Sequence, residues 1–467
     1  MKPPSSDHTV LLRRCEDYEP DVIEALVRDG MDSLGYRPRG KVFVKPNVVF
    51  AGPPALLANH AFTHPTLLGA AVLALAAETG TERIDIGEKS GIGFPTRHCY
   101  QNAGYYDELG RIRRRAACPV DLYCMDEDRR DTVFVGGKVH DRLRLARRMA
   151  RADTKVYLPK LKCHCVSNMT GAVKLNIGIC CDDDRSIRHD FMLNEKIVDL
   201  LAVGWPDFVV MDAIDVGVGN EVFPKPRKLG LVLMGTNPVA VDLVAARLLG
   251  FERDDVPYLK VAAERGYQPG SLDEVTLIGD VTSVAEVDEA AKRLLPYDDE
   301  YTAWQDVEKE LRRLQSPMRF FWGPYRHGNG DLCRTGCVMG LKMFLATYER
   351  YGGAEAFAAA KPVVFVIGRV DEEIDARGED VFLLGSCARA QVRNAKEIVP
   401  VDKCFCTASD MTFGIGHRLG MPAPLTDAKL ALQLVGGVAR ASLGKVASLR
   451  YAQDVGHFLA NGLIRKV

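Results

Sequence analysis

The sequence has almost no net charge, with 61 Lys and Arg residues against 62 Asp and Glu residues. Proteins that bind nucleic acid through its phosphates usually carry an excess of basic residues, so this balance argues against a nucleic-acid partner. The sequence also has no apolar run of about 18 residues, the length that a membrane-spanning helix requires. Its first residues carry charges where a secretory signal has an apolar core. We therefore expect a cytoplasmic protein without a membrane partner.

Cysteine, in contrast, is abundant, with 13 residues in a chain of 467. An odd number of cysteines in a reducing compartment argues against a disulfide framework. Buried thiols, catalytic thiols and metal or cluster ligands remain as interpretations. The rest of the composition, 47% hydrophobic and 26% charged, is that of a soluble globular protein with a large core.

Residues 8–295 alternate between short apolar segments of strand length and segments with apolar residues at helical spacing. This order predicts an α/β fold with a mainly parallel sheet and flanking helices. Ligands of such sheets bind at the carboxyl ends of the strands, so polar motifs at those ends predict one crevice. The motifs are Lys45-Pro46-Asn47, 87–91, 159–162, Asp212 with Asp215, and Asn237-Pro238, and helices are predicted over 20–34, 65–79, 195–203, 237–249 and 284–294.

The charged segment 297–316 predicts a linker between two domains. We expect an anion-binding domain at 1–296 and a smaller α/β domain at 317–467 that carries cysteines. The segments KPVVFVIG and DVFLLGS predict buried strands of the second domain, and helices are predicted at 426–442 and 446–464. This helical tail fits packing on its own domain or on a second subunit, so a homo-oligomer is possible.

The stretch 155–189 concentrates cationic, His and Asn side chains among small residues after a predicted strand. Such donors hold anionic groups, although solvated loop cations are the alternative. We predict that the group binds an anionic small molecule or cofactor through Lys45, Asn47, Lys160, Lys162, Thr170, Asn176 and Asp212. His164, Lys174 and His189 are predicted as catalytic residues: His164 or His189 moves protons, and Lys174 also helps to hold the anion. Asp242, on the helix after Asn237, is interpreted as a capping or sheet-contact residue.

Five cysteines of the second domain follow loops or strands: Cys333, Cys337, Cys387, Cys404 and Cys406. Four thiolates suffice for an iron–sulfur cluster or a zinc site. The spacing is dispersed, so buried free cysteines remain the alternative. A soft metal is a weaker possibility at Cys163, Cys165, Cys180 and Cys181, because adjacent cysteines rarely share one ion.

Four motifs resemble, in the same order, those of the family known as domain of unknown function 362. They are KPN at 45–47, LPKLKCH at 158–164, TGAVKLNIG at 170–178 and NPVAVDLVAARLLG at 237–250. Members often join this domain to an iron–sulfur module, which implies that Cys333, Cys337, Cys387 and Cys404 hold an iron–sulfur cluster of the 4Fe-4S type. The chain departs from the family pattern at Cys163, where Thr is usual, and at KCFC (403–406), where Cys404 and Cys406 are rival fourth ligands.

The resemblance and the basic cluster together predict an iron–sulfur-dependent oxidoreductase that acts on an anionic small molecule and receives electrons from a redox partner protein. The spacing of His164, Lys174 and His189 also resembles lactate racemase-type enzymes. In that family one histidine is an acid–base catalyst, the lysine tethers a nickel-pincer nucleotide and the second histidine holds nickel, which implies an isomerase or racemase. The third hypothesis is a non-enzymatic electron-transfer or cluster-carrier protein.

Overall fold

The computed structural model describes residues 6–92, 94–164, 166–189, 192–219, 221–295, 307–325, 337–424 and 427–461. Among these residues, twelve strands lie in the first part of the chain, ten of them in one sheet and two in a hairpin. In chain order they are β1 (Thr9–Arg14), β2 (Gly40–Pro46), β3 (Thr81–Glu88), β4 (Val120–Cys124), β5 (Arg130–Phe134), β6 (Arg142–Ala146), β7 (Thr154–Leu158), β8 (Lys160–His164), β9 (Asn168–Thr170), β10 (Phe208–Val218), β11 (Lys225–Gly235) and β12 (Thr276–Gly279).

The large sheet has the order β12-β1-β11-β10-β7-β2-β3-β4, with β8 paired to β10 and β9 paired to β8. Strands β2, β3, β4, β7 and β10 run parallel, which confirms the predicted mainly parallel sheet. Strand β11 is antiparallel to β10, and its last residue, Gly235, pairs with Val209 near the start of β10. The chain therefore leaves β11 away from the carboxyl end of β10, and the prediction that Asn237-Pro238 shares the crevice is wrong.

Successive residues of the strands point into two separate cores, one on each face of the sheet. Leu12 and Met211 pack in one core, whereas Leu11 and Val210 pack in the other. Helices cover both faces, as expected for a parallel sheet. They are α1 (Pro20–Ser33), α2 (Pro54–Leu57), α3 (Pro65–Ala76), α4 (Thr96–Asn102), α5 (Tyr105–Arg115), α6 (Arg147–Ala150), α7 (Asp182–Ser186), α8 (Leu193–Asp199), α9 (Leu201–Gly204), α10 (Pro238–Leu248), α11 (Pro257–Glu264) and α12 (Val284–Ala291).

A four-stranded parallel sheet forms the second unit, in the order β13-β14-β15-β16. Its core includes Val307 and Leu311, so the helix that lies in the predicted linker segment packs with the second sheet. The strands are β13 (Arg319–Gly323), β14 (Val363–Asp375), β15 (Asp380–Arg393) and β16 (Glu397–Val401). The helices are α13 (Val307–Arg313), α14 (Cys337–Ala358), α15 (Ala408–Gly414), α16 (Ala428–Ala447) and α17 (Arg450–Asn461).

The helical tail returns to the first unit. Helix α16 packs against α4, and the Ser448 hydroxyl at its end donates a hydrogen bond to the backbone carbonyl of Glu127. This arrangement places the tail on the same subunit and on the first unit. Within the ranges given above, every helix is too short or too polar to cross a lipid bilayer.

Candidate functional site

The carboxyl ends of β2 and β3 hold a buried ion pair between Lys45 and Glu88. Glu88 also accepts hydrogen bonds from the backbone N–H groups of Val48 at 3.0 Å and Lys89 at 2.8 Å. Burial lowers the pKa of Lys45, and the neighbouring Glu88 carboxylate only partly opposes this effect. The structure thus places the predicted binding residue Lys45 in an internal pair.

A second polar group surrounds Asp212, in the middle of β10. The Lys160 ammonium lies 3.0 Å from one Asp212 oxygen, and the Tyr18 hydroxyl donates to the other oxygen at 2.9 Å. Lys160 also donates to the Tyr18 oxygen at 2.9 Å, and the Tyr18 and His64 rings stack with centroids 3.7 Å apart. The two aromatic residues lie far from the basic stretch in sequence and belong to no recognisable motif, so sequence reasoning missed them.

Lys162 extends from β8 into a fully enclosed position. Its ammonium donates to the backbone carbonyls of Ala61 at 2.9 Å and Glu221 at 2.6 Å. Burial, followed by the positive charge of Lys174, lowers the pKa of Lys162 to about 7. The side chain therefore changes charge near neutral pH while both hydrogen bonds can persist, because a neutral amine still has two N–H donors.

The predicted amide and hydroxyl ligands fall into two groups. Asn176 is committed internally, since its carbonyl oxygen accepts from Tyr157 at 2.8 Å and its amide donates to the backbone carbonyl of Val173 at 3.1 Å. The Thr170 hydroxyl and the Asn47 amide nitrogen, in contrast, are buried without a hydrogen-bond partner within the described residues. Buried polar atoms usually have partners, so these two groups are candidates to contact a ligand.

His164 ends β8 with a defined orientation. Its Nδ1 accepts hydrogen bonds from the backbone N–H groups of Val166 at 3.0 Å and Ser167 at 3.2 Å. This pattern assigns the proton of the neutral ring to Nε2. Burial, followed by the charges of Lys174 and Lys162, holds the pKa of His164 well below its usual value. The imidazole is therefore neutral at physiological pH.

His189 is the second imidazole of the site and is half-buried. Its Nδ1 has no hydrogen-bond partner within the described part of the chain. Burial, followed by the charges of Lys196 and Arg185, holds its pKa well below the usual value, and Lys174 adds to the effect. The charge of Lys174 lowers the pKa of both imidazoles, so the three predicted catalytic residues interact electrostatically in the folded chain.

Asp242 fixes the segment that precedes Lys174. Its carboxylate accepts hydrogen bonds from the backbone N–H groups of Ala172 at 2.6 Å and Val173 at 3.0 Å and from the Tyr258 hydroxyl at 3.0 Å. The N-cap of the helix is Asn237 instead, whose side chain accepts from the first turn. Asp242 therefore does not cap its own helix. It holds the backbone of the segment before Lys174 in position.

The described thiols of the second unit lie in the middle of β15, just after β16 and at the start of α14. The Cys337 sulfur accepts a hydrogen bond from the Cys406 N–H at 3.3 Å. Burial raises the pKa of Cys387, and the nearby Cys404 raises it further. Cys404 is exposed, whereas Cys406 is buried in the core of the second unit. Cys333 lies outside the described residues.

Three of the four thiols predicted to hold a cluster lie among the described residues: Cys337, Cys387 and Cys404. The Gly385 backbone lies so close to Cys337 that an added Cβ would be 2.7 Å from its sulfur, and burial, followed by the nearby Cys404, raises the pKa of Cys387. Among the described residues alone, no group of three or more His, Cys, Asp or Glu side chains is arranged to hold a metal ion. A complete site in this region would require a further ligand, such as Cys333.

The remaining thiols near the basic stretch are packed inside the first unit. Cys163 and Cys180 are almost completely buried, and burial raises the pKa of Cys180 to about 12. Cys181 is also buried, and burial raises its pKa. Cys165 lies outside the described residues. The described members of this set are therefore buried thiols within a protein core.

One contact joins the thiols to the two imidazoles. Phe405, between Cys404 and Cys406, stacks on His189 with ring centroids 5.7 Å apart. The same phenyl ring packs against the core of the first unit and against the core of the second. The cysteine-bearing segment 404–406 therefore lies beside the site of His164, Lys174 and His189.

Residues 42–247 match the model of the family described as "Domain of unknown function (DUF362)". A thylakoid-associated protein of Synechocystis sp. is 25% identical over 283 residues, which cover 57% of this chain and 82% of that protein. The solved lactate racemase apoprotein from Thermoanaerobacterium thermosaccharolyticum is 12% identical, with a TM-score of 0.33, over 52% of this chain and 57% of that one. A solved protein from Thermotoga maritima is also 12% identical, with a TM-score of 0.31, over 54% of this chain and 60% of that one. The chain thus spans less than two thirds of either solved chain.

Proposed function

We propose, on the premise that residues 42–247 belong to the DUF362 family, that this protein is an iron–sulfur-dependent oxidoreductase that acts on an anionic small molecule. The observation that carries the proposal is the stacking of Phe405 on His189, which places a cysteine-bearing segment beside a buried cationic site. A redox enzyme needs such proximity, because electrons must pass between a cluster and a bound substrate.

In this proposal the substrate lies near Lys174, whose positive charge acts throughout the site. The Thr170 hydroxyl and the Asn47 amide contribute hydrogen bonds, since both are buried without partners among the described residues. A charged donor and two neutral donors are suited to a carboxylate or phosphate. The other predicted binding residues bond to groups of the protein and not to the substrate, and in this proposal they fix the shape and the charge of the site. They are Lys45, Lys160, Lys162, Asn176 and Asp212.

The two imidazoles supply proton chemistry. His189 is neutral and has an unpartnered Nδ1, so it is the candidate proton acceptor. His164 presents Nε2–H, because its Nδ1 is occupied by two backbone N–H donors. A ring fixed in this way donates a hydrogen bond to an anionic oxygen and stabilises charge that develops there.

The proposed cofactor is an iron–sulfur cluster, of the 4Fe-4S type, held by Cys333, Cys337, Cys387 and Cys404. Such a cluster supplies or accepts single electrons. Cys404 is favoured over Cys406 as a ligand because Cys404 acts electrostatically on Cys387, whereas Cys406 points into the apolar core. The exposure of Cys404 also leaves this end of the small sheet accessible to a redox partner protein. We place these reactions in the cytoplasm.

Anaerobic purification with iron and sulfide analysis tests the cofactor. We expect about four iron and four sulfide per chain in the natural protein, and their loss in Cys387→Ser and Cys404→Ser. The matched control is Cys99→Ser, because Cys99 is buried in the core of the first unit. Cys406→Ser should retain iron. Iron-free protein after strictly anaerobic purification would contradict the proposal.

A second candidate is an isomerase or racemase with a nickel-pincer nucleotide, in which Lys174 is the tether. The observation in its favour is the grouping of Lys174 with two neutral imidazoles, His164 and His189. It predicts nickel and an added mass on the intact protein that Lys174→Arg removes, with no effect of Cys387→Ser. The exposed Lys41→Arg is the control.

The third hypothesis is a non-enzymatic electron-transfer or cluster-carrier protein. The same variants distinguish it from the oxidoreductase. Both this hypothesis and the oxidoreductase predict iron that depends on Cys387. Only the oxidoreductase predicts that Lys174→Ala abolishes substrate-dependent reoxidation of the reduced protein. An unchanged rate of electron transfer in Lys174→Ala, with iron content intact, would favour the carrier.

A further inference from the structure

Helix α16 exposes an apolar stripe along its outer face. Leu432, Val435, Leu443 and Val446 are between 60% and 72% exposed. Together with the exposed Ala439 they follow one another at intervals of three or four residues, which puts them on one side of a helix. A helix of a globular protein normally turns such a stripe toward the core. An exposed contiguous stripe therefore indicates a surface for a partner.

The opposite face of α16 is fixed to the first unit. An added Cβ at Gly437 would lie 3.2 Å from the His98 side chain, so the helix backbone approaches α4 closely through a residue without a side chain. Ser448 donates to the backbone carbonyl of Glu127, and the Arg450 guanidinium donates to that of Asp128 at 3.2 Å. These contacts hold the helix with its small residues inward and the apolar stripe outward.

The charge of α16 is of one sign. Residues 428–453 contain no Asp or Glu, and the charged side chains within the helix are Lys429, Arg440 and Lys445. At 100° per residue, Lys429 and Arg440 border one side of the apolar stripe and Lys445 borders the other. The Lys445 ammonium lies 5.8 Å from the centre of the partly exposed Tyr451 ring. Apolar residues flanked by cations and an aromatic ring are typical of helices that lie in a membrane interface.

We propose that α16 docks the protein on an anionic lipid surface. The apolar stripe enters the headgroup region while Lys429, Arg440 and Lys445 contact lipid phosphates. A second copy of the chain fits this face poorly, because pairing about a two-fold axis brings the same cationic borders together. We expected no membrane partner because the sequence has no segment long and apolar enough to span a membrane. A helix that lies on the membrane surface does not need such a segment.

Vesicle flotation of the full chain tests this inference. The natural protein should float with phosphatidylcholine vesicles that contain phosphatidylglycerol, and far less with phosphatidylcholine alone. The triple variant Leu432→Ser, Leu443→Ser and Val446→Ser should lose flotation. Changing Lys429, Arg440 and Lys445 to Gln should weaken binding about fivefold per cation, roughly 100-fold together. High salt should have a similar effect on the natural protein.

The control is Ile398→Ser on β16, which removes an exposed apolar side chain distant in sequence from α16. Circular dichroism and thermal unfolding verify that each variant folds, as expected for changes at exposed positions. Failure of the natural protein to bind anionic vesicles, or equal binding by the apolar variant, would overturn the proposal. A natural protein that is dimeric by light scattering and becomes monomeric in the apolar variant, without vesicle binding, assigns the stripe to a second copy.

Discussion

At the scale of single residues, Lys45 and Glu88 form a buried ion pair. Removing either charge leaves the other one buried without a counter-charge. Both side chains are at most 3% exposed. We expect Glu88→Gln to lower the free energy of unfolding by about 3–5 kcal/mol, because the Lys45 ammonium would then be buried without a counter-charge. Urea unfolding followed by circular dichroism measures this loss.

The matched controls are a double variant and a surface pair. Lys45→Met combined with Glu88→Leu removes both charges and should recover much of the lost stability. Glu289→Gln breaks the exposed pair between Lys292 and Glu289 and should change the free energy of unfolding far less than Glu88→Gln does. If Glu88→Gln costs no more than the surface variant, the pair is not buried as described.

Lys162 predicts a pH dependence of stability. Its pKa is about 7 in the folded protein, against about 10.4 for an ordinary lysine in the unfolded chain. Between these pH values the unfolded chain binds a proton that the folded chain does not bind, so this residue makes the free energy of unfolding rise with pH. The penalty is fully present below pH 7 and disappears as pH approaches 10.

Lys162→Met should remove that dependence. The difference in unfolding free energy between the natural protein and the variant should increase with pH by on the order of 4 kcal/mol across this window. Urea titrations at several pH values measure the difference, and the exposed Lys41→Met is the control. A difference that stays constant from pH 6 to 10 would show that Lys162 remains charged throughout.

The motif lysines illustrate how far sequence reasoning reaches at this scale. Lys45 lies near the end of β2 and Lys160 follows the end of β7, as the apolar runs before them predict, whereas Lys162 lies within the further strand β8. Their partners could not be predicted, because Tyr18 and Glu221 come from distant parts of the chain and belong to no motif. Which cations remain available to a ligand depends on those long-range contacts.

At the scale of elements, two helical glycines should respond oppositely to the same change. A Cβ at Gly340 of α14 would overlap the Cys406 carbonyl oxygen, whereas a Cβ at Gly436 of α16 would have its nearest neighbour, Arg440, 3.9 Å away. We expect Gly340→Ala to destabilise the protein by about 1–3 kcal/mol through overpacking. Gly436→Ala should stabilise it by up to about 1 kcal/mol through helix propensity.

Thermal unfolding of both variants checks this prediction. Because Gly340 lies against the 404–406 segment, its substitution should also displace the thiols that we assign to the cluster, and iron content should fall in Gly340→Ala but not in Gly436→Ala. Equal melting temperatures for the two variants would show that α14 does not pack closely on the cysteine-bearing segment.

Element type and order could be predicted because each depends on local spacing. The predicted helices at 20–34, 65–79 and 237–249 are confirmed by α1, α3 and α10, and the apolar runs form the predicted strands. Strand direction is different, because it depends on how the chain returns to the sheet. Because β11 is antiparallel to β10, Asn237-Pro238 lies away from the crevice. No local sequence pattern could have predicted this.

At the scale of the whole molecule, the contact between the two units is a property that no local pattern could predict. The motifs along the chain form two separate groups of functional residues, one basic and one rich in cysteine. Only the folded chain shows that Phe405 lies against His189 and joins them. In the sequence, the only notable property of Phe405 is that it lies between Cys404 and Cys406.

Phe405→Ala tests whether this contact closes the site. Burial is the main cause of the lowered pKa of His189, so removal of the phenyl ring should admit water and raise that pKa toward the usual value of about 6.5. Histidine side-chain NMR of labelled protein follows the titration directly. Phe413→Ala is the control, because Phe413 is 70% exposed. If Phe405→Ala lowers stability but leaves the His189 titration unchanged, the second unit does not shield the site, and electron transfer from the thiols to a substrate there would lose its structural basis.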